Sequence, residues 1–102
     1  MIKLSPGTKG ALAELRAHQH FLELGWFVFP SQCDCPIDFI AWNPKDGETL
    51  LLDVKKMSGG NKGSWYCVPL TGAQEKMGVQ LCMVYPDRVK IGPKSEKAHK
   101  AG

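Results

Sequence analysis

Leu50-Leu51-Leu52-Asp53-Val54-Lys55-Lys56 is the stretch from which the fold is read. Three leucines and a valine in a near-continuous run, after the turn residues Asp46-Gly47, predict a central strand buried on both faces. Side chains alternate along a strand, so Asp53 and Lys55 project to one face while Leu52 and Val54 project to the other. A carboxylate and an ammonium at the end of an apolar strand are costly to desolvate unless each has a partner, such as a metal ion or an anionic substrate. The alternative is a strand emerging into solvent, with Asp-x-Lys as its wet end.

Working outward, Thr49 to Lys56 is the central strand, and Asn43 to Gly47 the turn that joins it to a preceding strand over Ile37 to Trp42. Asp38 opens that strand as Asp53 closes its neighbour. In an antiparallel hairpin both carboxylates then lie at one end of the sheet, where they could share a cation. Ser31 to Pro36 is a loop, and Trp26 to Phe29 a strand ended by Pro30.

Ahead of these, Ser5-Pro6-Gly7 reads as a turn and Thr8 as the N-cap of an amphipathic helix running to Leu24, with Gly25 as its stop. At 100° per residue, Ala11, Ala13, Leu15, Ala17, Phe21, Leu22 and Leu24 share a broad apolar arc. Glu14 and His18 fall inside it. A core-facing glutamate asks for a partner, either a site or a lysine at the sheet edge, and a packed, hydrogen-bonded histidine is the expectation for His18.

Past the central strand, Met57 to Ser64 is a mobile polar loop, suited to a phosphate backbone or to a plain surface connection. Trp65 to Val68 forms a short strand. Thr71 caps a short helix to Met77 with Gln74 in its capping box and Gly78 as its stop. Val79 to Tyr85 and Val89 to Ile91 are strands joined at Asp87-Arg88. Residues 1–92 thus make one α/β domain, and residues 93–102, rich in lysine, a flexible basic tail.

The net charge is only +3, so nucleic-acid binding cannot rest on overall charge and depends on where the lysines lie. No apolar run approaches a membrane span, and the N-terminus lacks the regions of a signal peptide; the expectation is a soluble, cytoplasmic chain, in the host cytoplasm if viral. Cys33, Cys35, Cys67 and Cys82 are then reduced. Cys33-Asp34-Cys35 is too tight for the usual zinc-knuckle spacing, which favours core and loop thiols over a structural zinc.

Lys9-Gly10-Ala11-Leu12-Ala13-Glu14, Gly25-Trp26-Phe27-Val28, Pro36-Ile37-Asp38 and Asp53-Val54-Lys55, in that order and spacing, resemble the PD-(D/E)XK nuclease superfamily. Within it, the small size and the Lys-Gly-x-x-x-Glu helix look most like archaeal-type Holliday junction resolvases and related small phage nucleases. Two departures stand out: Ile37 separates the usually adjacent Pro and Asp, and Asp53 replaces the commoner Glu. The resemblance implies a restriction-endonuclease-like core, a mixed central sheet flanked by helices. It also implies a magnesium-dependent endonuclease, with manganese able to substitute, that acts on DNA as a homodimer and leaves a 5′-phosphate and a 3′-hydroxyl.

Phosphodiester hydrolysis needs a hydroxide nucleophile and relief of charge on the phosphate oxygens, and magnesium supplies both. Asp38, Asp53 and the Val54 carbonyl would bind it directly, and Glu14 through water or by holding a second ion. Lys55 would orient the attacking water and favour its deprotonated form. Lys9, Lys56, Lys62 and Gln74 are the DNA-contact candidates; Gln74 falls where many relatives carry a glutamine, though the capping box accounts for it too. Other expectations for the same residues are a nicking, homing or restriction-type nuclease, and a non-catalytic DNA-binding protein on the same fold.

Overall fold

The computed structural model describes residues 5–33, 35–59 and 65–92. The expected basic tail, Lys62 and most of the polar loop lie outside them. A helix α1 (Pro6–Glu23) leads into β1 (Phe27–Pro30), β2 (Phe39–Trp42) and β3 (Thr49–Lys56); then come β4 (Ser58–Gly59), β5 (Trp65–Tyr66), α2 (Gly72–Met77), β6 (Val79–Val84) and β7 (Val89–Gly92). The main sheet has the order β1-β2-β3-β6-β7 and is mixed: β3 pairs with β6 in parallel, and every other neighbour is antiparallel. β4 and β5 form a separate two-stranded sheet where the sequence predicts only loop and an isolated strand.

The central strand has the bounds its sequence predicts, and its alternation divides the core. Leu52 packs with Ala13, Ala17 and Phe21 of α1, Phe39 and Ala41 of β2, and Cys82 and Val84 of β6. Leu51 faces the other way, with Val79, Leu81 and Met83 of β6 under Met57, Cys67 and Leu70. α1 thus covers one face; the segment after β3 covers the other.

α1 differs from expectation at its start and on its face. Ser5, not Thr8, is the N-cap, its hydroxyl accepting from the Thr8 N–H at 3.2 Å. Pro6 stands at the first helical position, where a missing N–H costs nothing and the fixed φ suits the helix, so Ser5-Pro6-Gly7 starts the helix instead of forming a turn. The buried stripe is the narrow i, i+4, i+8 row of Ala13, Ala17 and Phe21, while Leu15, Leu22 and Leu24 are exposed. Two alanines bring the helix axis close to the sheet, and the wider arc then overhangs its edge.

α2 ends as expected: Gly78 adopts φ +80°, which any side chain would strain. Gly78→Ala should cost about 1 kcal/mol, read as a lower urea midpoint; an unchanged midpoint would show that the cap relaxes. Among the described residues, no helix is long and apolar enough to cross a membrane.

Candidate functional site

β2 and β3 position the two acids through their register. Phe39 stands opposite Leu52, which sets Asp38 opposite Asp53 at the end where β2 begins and β3 finishes. The Asp38 N–H donates to the Leu52 carbonyl at 2.8 Å, and the Asp38 carboxylate accepts from the Val54 N–H at 2.6 Å. The side chain thereby takes over the ladder where β2 has run out. Because the N–H and C=O of one strand residue point the same way, the Val54 carbonyl is also directed to this side.

Asp53 is 7% exposed. Its Oδ2 lies 3.2 Å from the Lys55 ammonium, yet that buried oxygen has no aligned hydrogen-bond donor among the described residues. Burial lifts the Asp53 carboxyl above the ordinary carboxylate range; Lys55 offsets part of this, and the neighbouring Asp38 pushes it further up. The same charges reach two thiols. Burial, reinforced by Asp38 and Asp53, pushes Cys82 up to about 12, so it stays a thiol at neutral pH. Cys67 is raised by burial too, with Lys55 acting against it and Asp53 with it. Cys33 and Cys35 lie at the surface.

The structure brings together Asp38, Asp53, Lys55 and the Val54 backbone; Glu14 stands apart. It sits on the helix covering the opposite face, 41% exposed, with the His18 Nε2 at 4.0 Å, and no lysine pairs with it among the described residues. His18 packs its ring edge-on against Phe39 at 4.8 Å, but its buried Nε2 has no hydrogen-bond partner among those residues, contrary to the expected bonded histidine. Likewise, no three His, Cys, Asp or Glu among them are grouped to hold a metal ion. Two carboxylates and a carbonyl nonetheless fit magnesium, which binds through one or two carboxylates and keeps several waters. The buried Asp53 oxygen, ion-paired with Lys55 but without an aligned hydrogen-bond donor among the described residues, is the observation that favours such a cation.

Gln74 is buried, and its amide is spent within the protein. Its oxygen accepts from the Thr71 N–H at 2.9 Å, and its nitrogen donates to the Pro36 carbonyl at 2.9 Å. It therefore ties α2 to the loop that delivers Asp38, a positioning role the capping-box pattern alone could not reveal. Gln74→Ala should cost about 1–3 kcal/mol, because it leaves the Thr71 N–H and the Pro36 carbonyl without partners; chemical denaturation reads the loss, and a change under a few tenths would mean that water replaces the amide.

Lys9 and Lys56 are exposed and line the same cavity, between α1 and the ends of β3 and β6. Arg16 lines it with them. Arg16 is not among the residues the sequence motifs single out; its spacing of two turns from Lys9 is the signal that joins them. Compared with known proteins, the chain matches no family model, no curated protein and no solved structure.

Proposed function

We propose that this chain is a metal-dependent DNA endonuclease, and that its substrate is a branched molecule such as a four-way junction. The observation that supports the reading most is the buried Asp53 carboxyl beside Asp38, its Oδ2 3.2 Å from Lys55 but without an aligned hydrogen-bond donor among the described residues. The restriction-endonuclease-like assignment of the mixed sheet belongs to the same proposal. Asp38, Asp53 and the Val54 carbonyl would hold magnesium or manganese, which when bound supplies a hydroxide and neutralises the phosphate oxygens.

The chain's own contributions follow from where its groups stand. Asp38 is fixed by its backbone and side-chain bonds, so its other carboxylate oxygen keeps one direction. The Lys55 ammonium donates to the attacking water and stabilises its deprotonated form. As the water oxygen bonds to phosphorus, the bond to the 3′ oxygen breaks and that oxygen takes up a proton, leaving a 5′-phosphate and a 3′-hydroxyl. Glu14, outside the cluster, would reach it only through water.

A four-way junction offers two strands to cut symmetrically, and a homodimer supplies two sites about a two-fold axis. Support for a dimer comes from the side of β1 turned away from α1. Phe27 and Phe29 are 51% and 54% exposed there, with Phe27 against Trp42 at 5.6 Å.

The test compares labelled four-way junctions with linear duplex across a magnesium titration, with sedimentation run alongside. Paired cuts in the junction alone are expected from a dimer. Equal cutting of both substrates removes the resolvase reading and leaves the nuclease. No cutting in magnesium or manganese, with junction binding retained, would favour the non-catalytic DNA-binding protein.

A further inference from the structure

Between the first half of α1 and the carboxyl ends of β3 and β6 lies a cavity of about 380 Å³. It is on the α1 side of the sheet, whereas Asp53 and Lys55 project to the other side, but all stand at the same end. Leu12 and Ala13 form its helix wall, and Val84 and Pro86 its strand wall. Met57 and Tyr85, which belong to the core on the opposite face, also line it, so the cavity reaches the sheet's end and does not stop beneath the helix.

Among the described residues, every charged residue in the lining is a cation: Lys9, Arg16 and Lys56. Among the described residues none of the three pairs with a carboxylate. Arg16 is held in place by donating to the Pro86 carbonyl at 2.9 Å, which leaves the rest of its planar fork for an anion. An apolar hollow of this size whose charged lining, among the described residues, is three unpaired cations fits a ligand with a compact apolar body and an anionic group attached. The cavity and the carboxylate pair flank one sheet end, so a chain of repeating anionic units crossing that end would meet both.

We propose that the cavity receives one nucleotide of a single DNA strand, its base turned out of the stack onto the apolar walls and its phosphate held by Arg16, Lys9 and Lys56. The assignment rests on the endonuclease reading for its choice of nucleic acid, but it concerns different residues. It explains how a branched substrate is selected, because a base beside a branch point is more easily unstacked than one within a continuous duplex.

The test measures binding by the full chain in EDTA, where no cutting occurs, to a strand of thymidylates and to an abasic sugar-phosphate strand of equal length. The parent should favour the strand with bases by about tenfold. Leu12→Trp, which fills the cavity from a half-exposed position, should lose that preference while still binding the abasic strand as the parent does. Arg16→Glu should weaken both strands and lower the dependence of log affinity on log salt by about 0.7.

Equal binding of the two strands by the parent overturns the proposal, as does a preference that survives in folded Leu12→Trp. If melting shows Leu12→Trp to be unfolded, Arg16→Glu decides: an unchanged salt slope overturns the proposal. A preference that appears only after removal of Met1 to Leu4 also overturns it, by making the cavity the seat of the chain's own start. The strand preference in EDTA and cutting in magnesium are separate readouts, so loss of one without the other tells which reading has failed.

Discussion

Asp53→Asn should abolish cutting, on the order of 10³-fold or more, while leaving DNA binding intact or tighter, since it removes negative charge near the phosphate. The same substitution should raise the melting temperature of metal-free protein at neutral pH. Burial lifts the Asp53 carboxyl, with Lys55 offsetting only part, so the folded protein holds this proton to higher pH than the unfolded chain does. The contribution of a carboxyl shifted upward is most favourable in acid and is lost as pH rises through its folded value. Asparagine carries no such loss. The gain should therefore shrink as pH falls toward the ordinary carboxylate value of 3.8 and vanish below it. Melting curves in EDTA across that range check the sign. An asparagine variant that melts lower at neutral pH would show instead that the ion pair with Lys55 makes Asp53 a net structural asset.

Phe39→Ala should produce the largest stability loss, about 3–5 kcal/mol, against a total of about 5–15 kcal/mol for a domain of ordinary stability. Phe39 is fully buried, and its ring meets those of His18 at 4.8 Å and Phe21 at 5.8 Å. It sits at the centre of the cluster through which α1 packs on the sheet, one residue from Asp38. Urea unfolding measures the loss, and a value below about 1 kcal/mol would mean that α1 settles into the cavity. Cutting by the folded fraction should fall as well, because the strand end that aims Asp38 loses its anchor.

The cluster was legible where it depends on strand periodicity. Asp53 and Lys55 sharing a face, and Asp38 opposite Asp53, follow from a period of two and a hairpin with Asp46-Gly47 in its turn. The Thr71 and Gln74 capping box was legible for a similar reason, being local. Glu14 was not: a helix places its side chains by azimuth, and which azimuth faces the sheet is fixed by what fits beneath. Here two alanines and a phenylalanine win over the larger leucines. The β4 and β5 pairing, four residues in all, is too short to leave a periodic signal. Nor does any local pattern disclose that the Gln74 amide reaches Pro36, across 38 residues of sequence.

The parallel pairing of β3 with β6 has a consequence in time. α1, β1, β2 and β3 are contiguous and joined by short connections, so Asp38 and Asp53 can be brought face to face by near-neighbour contacts alone. Lys56 and Val79, the last residue of β3 and the first of β6, are separated by the whole crossover, and a strand on the far side of such a loop docks only after its closure entropy has been met. Asp53 is therefore set opposite Asp38 by near-neighbour contacts, whereas the layer over its face of the sheet, Met57, Cys67 and Leu70, comes from the segment after β3. During synthesis the order is enforced, because the ribosome releases β6 last among the strands that touch the site. A nascent chain halted after Lys56 would carry Asp38, Asp53 and Lys55 but not the later residues that cover that face of the sheet.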